Sequence, residues 1–436
     1  MDAGQCHASA LRWYLAALLF TMSFVMGFLW NLMNALSGMV ARNLGIHPDS
    51  IEDDTLVGTA VLLIASPVFA FWMANGRFRL AMLVSTLCSC ASAWVLLLGA
   101  LHLSGRMIFV SLAVNGLSGP MAMFGGVALS DLWFPCHQRT RATALLCSAN
   151  YLGVGVAFLV GSIVIKDDAA IGALVRLSIA ICAVTTTVFI LTAIRFPSAP
   201  RHAPSLSQAL RHAHPMQHGA SRSGYFALAS SASFWRIALC FALGSGIYAG
   251  WGGSLSVNLA QFGFTQEQAG WIGSAGILGG FLGGYLFAML CDSKRAPLQQ
   301  VTLALFVISG VSLLVFLFGC RNAWGVVPLA VASSVAGAGI NGTIPLLLEL
   351  AMEATYPIPT ASTGNVMTAA NSIGAVAFLM VPIDTVGTQW MNWAPFAACA
   401  LSACLLAYPP VRCRRREIDV ADPATLPILH DDGHDR

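Results

Sequence analysis

The stretch DLWFP, Asp131–Pro135, returns later in this chain as EATYP, Glu353–Pro357. NYLG, Asn150–Gly153, likewise returns as NSIG, Asn371–Gly374. The first pair is offset by 222 residues and the second by 221. Because separate matches at a near-constant spacing indicate an internal repeat, the sequence predicts two structurally equivalent halves.

A third match lies near the start of each half. MGFLWN, Met26–Asn31, aligns with IYAGWG, Ile247–Gly252, again at an offset of 221 residues. The alignment makes Trp30 and Trp251 equivalent positions of the repeat. The repeat therefore extends over most of both halves.

The composition is that of a membrane protein. Hydrophobic residues make up 57% of the chain and charged residues 9%, and the mean hydropathy is +0.74, which excludes an ordinary soluble domain. The apolar runs are long and unbroken, whereas strands of a membrane barrel would alternate over segments of ~10 residues. The first run, 13–36, is too long for a signal peptide. The predicted fold class is therefore an all-α polytopic membrane protein.

Breaks between apolar runs predict twelve transmembrane helices, six in each half. The predicted spans are 13–40, 55–75, 78–101, 106–131, 142–165, 170–195, 234–260, 268–291, 297–320, 323–352, 361–385 and 388–409. The halves are predicted as 1–195 and 234–409. A Pro- and His-rich linker, 196–233, and a charged tail, 410–436, are predicted to be flexible or disordered.

The distribution of basic residues predicts the orientation of the chain. When loops are assigned to alternate sides, the linker and both termini share one side with most of the 22 Lys and Arg residues. By the positive-inside rule this side is cytoplasmic. The exceptions on the other side are Arg42, Arg106, Lys166, Arg176 and Arg321.

No nucleic-acid, metal or cofactor site is predicted. The basic residues are scattered among loops, and the spans contain no nucleophile/base pair and no metal-ligand cluster, so the chain is not predicted to be an enzyme. Four linker histidines lack an accompanying acid or cysteine, which favours a solvated loop. These are His202, His212, His214 and His218.

Two six-helix halves joined by a cytoplasmic linker resemble the major facilitator superfamily, which implies alternating access by rocking of the halves. The turn CDSKR, Cys291–Arg295, with Asp292 and Arg295, is similar to the Gly/Asp/basic gating turn of that superfamily. In the first half the equivalent turn is ANGRFR, where Asn75 replaces the acid. The first copy therefore departs from the pattern.

Four segments resemble a narrower group, the feline leukaemia virus subgroup C receptor-related transporters of solute carrier family 49. The segments are Asp131–Gly161, Gln266–Gly273, Leu348–Pro357 and Ser362–Gly374. The motifs HQR and NYLG are most similar to those of the branch named for disrupted in renal carcinoma 2. The resemblance implies transport of choline, ethanolamine, pyridoxine or haem-like solutes in the plasma or lysosomal membrane. For the most similar branch it implies proton-driven pyridoxine export from lysosomes.

The first and seventh helices line the central cavity in this fold, which makes Trp30 and Trp251 candidate contacts for the solute. Indole faces suit a quaternary ammonium by cation–π attraction, or a planar pyridine ring by stacking. A packing or interface role for either tryptophan is the alternative. Asn31 is a further polar position on the first helix.

Comparison with the choline-carrying relatives adds three polar candidates. A glutamine of their eleventh helix matches Asn371, and where they have a glutamine after the fifth-helix Asn150 this chain has Tyr151. The substitution favours an aromatic alcohol such as pyridoxine, whose hydroxyls these side chains could meet. Haem is disfavoured, because the histidines lie in loops, tails or span ends.

The acids of PLLLELAMEATYP, Pro345–Pro357, are predicted to divide into two roles. Glu353 matches Asp131 at a cytoplasmic helix end, and we expect it to pair with Arg139, Arg141 or the linker arginines as a gate. Glu349 matches Val127, so it has no acidic counterpart. Because a charge near a span centre is costly, Glu349 is the predicted coupling site for a proton or cation, with a second gate acid as the alternative.

Taken together, these patterns predict a monomeric secondary transporter for a small organic solute, with pyridoxine and proton coupling, as symport, as the first candidate. A choline/ethanolamine transporter, a haem transporter and a receptor that does not transport its solute are the alternatives.

Overall fold

The computed structural model describes residues 9–35, 48–164, 170–213, 222–294, 297–382 and 386–420. Over these ranges the protein is almost entirely helical, so the predicted all-α class is confirmed. The N-terminal half contains α1 (Leu11–Ala35), α2 (Pro48–Ala74), α3 (Phe78–Leu101), α4 (Gly105–Gly116), a π-helical turn (Met121–Gly125), α5 (Gly126–Trp133), α6 (Arg139–Val164) and α7 (Ala170–Ile194).

The linker contributes α8 (Leu206–Ala213) and α9 (Arg222–Ala229). The C-terminal half contains α10 (Ala232–Phe241), a π-helical turn (Ala242–Gly246), α11 (Ile247–Gly253), α12 (Leu255–Ala260), α13 (Gln266–Lys294), α14 (Leu298–Arg321), α15 (Val326–Thr355), α16 (Thr360–Leu379) and α17 (Trp393–Ala407). The tail ends in α18 (Arg414–Val420).

In the described residues, ten helical segments are long and apolar enough to cross a bilayer. The last two of the twelve predicted spans correspond to α16 and α17. Helix α16 has 20 residues but carries Thr, Ser and Asn side chains, and α17 has only 15 residues. Large apolar side chains such as Ile64, Ile194 and Val327 are exposed on the outside, as expected for surfaces that contact lipid.

The repeat has a structural basis in pairs of glycines at two helix crossings. A Cβ atom on Gly153 would overlap the carbonyl oxygen of Phe24, and one on Gly374 would overlap that of Ala242. Gly153 and Gly374 end the two repeated NxxG motifs. In each half, therefore, the helix with the repeated asparagine touches the first helix of that half backbone to backbone.

The first helix of each half also contributes a glycine to the same crossing. A Cβ on Gly27 would overlap the carbonyl oxygen of Asn150, and Gly246 approaches the carbonyl oxygen of Asn371 in the same way. Only glycine permits this approach at these positions. The contacts hold both asparagines at fixed positions on the inner faces of their halves.

The two halves meet at several pairs of helices. Helix α6 packs against α13 and α15, and α16 packs against α2 and α5. Each half also has buried apolar side chains of its own, around Phe124 in the N-terminal half and Phe306 in the C-terminal half. This arrangement leaves a cavity between the halves.

The linker and the tail differ from the flexible segments that their composition predicts. Phe196 is buried and stacks on Phe78 with ring centroids 6.0 Å apart. At the N-terminus of α8, Asp419 of α18 accepts a hydrogen bond from the Ser207 backbone N–H over 2.8 Å. These segments adopt a defined structure because residues that are distant in the sequence supply their contacts.

Candidate functional site

A cavity of about 420 Å³ lies between the two halves, a volume typical of sites for small organic molecules. Its walls come from α1, α2 and α6 on one side and from α11, α13 and α16 on the other. The structure brings together all six side chains predicted as solute contacts. They are Trp30, Asn31, Asn150 and Tyr151 of the N-terminal half and Trp251 and Asn371 of the C-terminal half.

The lining of the cavity includes residues near helix ends opposite the tail. These are Ser256 near the start of α12 and Gln266 at the start of α13. We call the end that carries α8 and α18 the tail face. Ion pairs occupy the tail face, and none of their side chains lines the cavity.

Trp251 lines the cavity and also packs against other aromatic side chains. Its side chain is 2% exposed, stacks on Tyr248 with centroids 5.3 Å apart and meets Phe316 edge to face at 5.4 Å. Trp30 is more accessible, and Gly58 of α2 leaves room for its ring. The side chain of Trp251 is thus held by its neighbours in the cavity wall, whereas the side chain of Trp30 is more accessible to a solute.

Asn392 holds Trp251 in place, although no sequence pattern indicated this role. Its Oδ1 accepts hydrogen bonds from Nε1 of Trp251 over 2.9 Å and from Nδ2 of Asn258 over 2.6 Å, and its own Nδ2 donates to Asn258 Oδ1 over 3.1 Å. Asn392 lies near the start of the last predicted span, 388–409, and belongs to none of the repeated motifs, so nothing in the sequence distinguished it from its neighbours.

Replacing Asn392 with leucine is expected to destabilise the protein, because the indole N–H of Trp251 would remain buried without an acceptor. The cost of such a group is about 1 to 3 kcal/mol. Thermal unfolding in detergent measures it. Asn322→Leu is the matched control, since Asn322 is exposed and bonds only its own helix end in the described structure. Equal melting temperatures for the two variants would contradict this role.

The described lining of the cavity is nearly uncharged. It contains Glu267 at its outer edge and no lysine, arginine or histidine. Tyr248, Ser245 and Ser333 add polar atoms that the sequence analysis missed. The Oδ1 atom of Asn371 is buried, and no donor among the described residues reaches it. This atom is therefore a buried acceptor whose hydrogen bond is not satisfied by the described residues.

Arg415 of α18 occupies the centre of the tail face. It is 1% exposed and contacts three carboxylates: Asp131 of α5 at 3.1 Å, and Glu353 at 3.3 Å and Glu349, both of α15. The prediction of a disordered tail from residue 410 is therefore wrong for this segment. Burial alone would lower the pKa of the Arg415 guanidinium, but attraction to Glu349, Glu353 and Asp131 outweighs it and raises that pKa.

In the described part of the chain, Glu353 pairs with the tail and not with Arg139 or Arg141. It bonds the Arg415 side chain and accepts from the Arg416 backbone N–H over 2.8 Å. Arg139 instead lies 3.9 Å from Asp131 and 3.1 Å from Asp419. The prediction failed because it considered loop arginines and left out those of the tail.

Two further predicted gate residues, Arg141 and Asp292, connect the halves elsewhere on the tail face. The backbone N–H of Arg141 donates to Asp292 Oδ2 over 2.9 Å, which links α6 to the end of α13. Arg295 lies outside the described residues.

Glu349 is buried between the halves. Its Oε1 accepts a hydrogen bond from Thr143 of α6 over 2.8 Å, and its Oε2 pairs with Arg415. Glu349 therefore shares Arg415 with Glu353, and it also contacts α6 through Thr143. Both predicted interpretations, a coupling site and a gate acid, are compatible with this position.

Comparison with known proteins places these features in a family context. The Major Facilitator Superfamily model matches residues 18–382. The solute carrier family 49 member 4 homolog of Xenopus tropicalis is 28% identical over 432 residues, covering 94% of this chain and 92% of that protein. The choline/ethanolamine transporter FLVCR1 of Felis catus is 24% identical over 393 residues, covering 87% of this chain and 68% of that protein.

Solved structures share the fold at low identity. The E. coli fucose:proton symporter FucP superposes with a TM-score of 0.67 at 15% identity, covering 91% of this chain and 98% of FucP. The proton:xylose symporter XylE superposes with a TM-score of 0.66 at 13% identity, covering 94% of this chain and 99% of XylE. The arrangement of two helical halves around a cavity is thus a known architecture.

Proposed function

Because this chain belongs to the major facilitator superfamily, and so is a multi-pass membrane transporter rather than an enzyme, we propose that its solute is pyridoxine or a molecule of the same shape and polarity. We further propose that a proton moves with the solute. The nearly uncharged, aromatic lining of the cavity is the observation that carries the proposed solute.

The lining of the cavity supports a neutral aromatic alcohol. The described lining offers no basic side chain to balance a phosphate or a propionate, which disfavours anions and haem. Trp30, Tyr151 and Tyr248 present rings on which a pyridine can stack. The side chain of Asn371, which lines the cavity, offers an amide that can hydrogen-bond a solute hydroxyl.

The carboxylates of the tail face support proton coupling. Asp131, Glu349 and Glu353 surround the Arg415 guanidinium, and Arg139 lies 3.9 Å from Asp131, so three carboxylates face two guanidinium groups. We assign the coupling role to Glu349, because its bond to Thr143 joins it to the opposite half. Rearrangement of the halves would then change the surroundings of this carboxylate directly.

Choline or ethanolamine is the second candidate. FLVCR1 of Felis catus and FLVCR2 of Rattus norvegicus are choline/ethanolamine transporters by name, and the indole of Trp30 suits an ammonium group. The membrane is proposed to be lysosomal or plasma membrane, with the basic tail face in the cytoplasm.

Uptake of radiolabelled pyridoxine into proteoliposomes tests the proposal. Asn371→Ala is expected to raise KM about fivefold to tenfold with little change in maximal rate, since one hydrogen bond to the solute is lost. Asn365→Ala is the matched control, because Asn365 lies on the same helix and bonds Tyr225 outside the cavity.

Competition decides between the two candidates. Unlabelled pyridoxine should block uptake, and choline at the same concentration should not. Displacement by choline, together with absent pyridoxine uptake, would assign the cavity to a quaternary ammonium solute instead.

A further inference from the structure

Helix α18 is inserted between the two halves on the tail face. Its Arg415 joins Asp131 of the N-terminal half to Glu349 and Glu353 of the C-terminal half. In a tail without contacts to the rest of the protein, this side chain would be exposed to water. Its nearly complete burial means that the tail is part of the closed interface.

A second set of contacts anchors the same helix. Asp419 pairs with Arg139 over 3.1 Å and accepts from the Ser207 backbone N–H over 2.8 Å. Arg139 also donates to Ser205 Oγ over 2.9 Å. Helix α18 is therefore bound to α5, α6, α8 and α15, which belong to both halves and to the linker.

We propose that α18 is a detachable latch, which holds the tail face closed while the cavity is open to the opposite side. The halves separate on the tail face during alternating access, so Asp131 moves away from Glu349 and Glu353. One guanidinium cannot then contact all three carboxylates. The latch must leave at least one half before the solute can exit on this face.

Arginine suits this role because its planar group can donate to several carboxylates at once. Without it, the three acids would face one another in a buried site and repel each other. The proposal requires alternating access and is independent of the identity of the solute. Its test therefore uses no solute, and it can fail or succeed separately from the pyridoxine assignment.

The protein carries its own reporter for opening of the tail face. Cys291 is 2% exposed and lines the small cavity that also holds Arg415, Glu349 and Glu353. Cys136 is exposed on the same face. A thiol reagent should therefore reach Cys136 at all times but reach Cys291 only when the latch is released.

The experiment measures labelling of the full-length protein in detergent with a membrane-impermeant maleimide, read at each cysteine by mass spectrometry. Arg415→Gln is expected to speed labelling of Cys291 about tenfold or more, while labelling of Cys136 is unchanged. Asp131→Asn should also speed it, because it removes the contact with the N-terminal half.

Arg414→Gln is the matched control, since it removes the same charge from an exposed position of the same helix. It should leave labelling of Cys291 at the wild-type rate. Size-exclusion chromatography identifies the variants that remain folded. An unchanged Cys291 rate in Arg415→Gln would overturn the latch. A rise in Arg415→Gln without one in Asp131→Asn would overturn its bridging of the two halves.

Discussion

Glu349→Gln is expected to abolish pyridoxine accumulation driven by a pH gradient, with a loss of about tenfold or more, while exchange of pyridoxine without a gradient persists. The glutamine has nearly the same shape and can keep a bond to Thr143, but it cannot gain and lose a proton. The measurement compares gradient-driven uptake with counterflow in the same proteoliposomes.

Glu353→Gln separates coupling from gating. Both acids pair with Arg415, so both substitutions weaken the latch to a comparable degree. Glu353→Gln should nevertheless retain the dependence of uptake on the gradient. Equal losses in the two variants would make Glu349 a second gate acid, and full gradient dependence in Glu349→Gln would refute its coupling role.

Gly153→Ala and Gly374→Ala are each expected to lower the apparent melting temperature by about 5 to 10 °C. The added methyl group would overlap a backbone carbonyl oxygen of the neighbouring helix, and a backbone atom cannot rotate away as a side chain does. Fluorescence-detected unfolding in detergent, together with the yield of monodisperse protein, measures the effect.

Gly310→Ala is the control for these two substitutions. Gly310 is also inside a helix, but a Cβ there would lie 3.6 Å from Cβ of Cys399, which is ordinary contact. It should be neutral or slightly stabilising, because alanine favours the helix more than glycine does. Comparable destabilisation by all three substitutions would show that helix propensity, and not the close crossing, sets the cost.

The fold and the cavity could be predicted because their signals are carried by repeated sequence. Span lengths follow from apolar runs, and the shared offset placed Trp30 opposite Trp251 and Asn150 opposite Asn371. These pairs lie on helices that the fold directs towards its centre. The structure accordingly brings them to one cavity.

The tail-face cluster could not be predicted in the same way. Arg415 is 62 residues from Glu353 and 284 from Asp131, and a run of arginines beside acids is typical of a solvated end. Nothing local distinguishes Arg415 from Arg414, although one is buried and the other exposed. The packing of α8 could not be predicted for the same reason, since the carboxylate that accepts a hydrogen bond at its N-terminus belongs to the distant Asp419.

The equivalent glycine crossings of the two halves place two different side chains at matching positions of the cavity wall. They fix Asn150 and Asn371 as counterparts, so the residues that follow them, Tyr151 and Ser372, are counterparts too, and both line the cavity. A phenol ring thus fills on one wall the space that a small hydroxymethyl group leaves free on the other. If the solute has a flat face and a hydroxylated edge, as proposed, it would meet two unlike walls, and this difference would favour one orientation of the solute in the cavity.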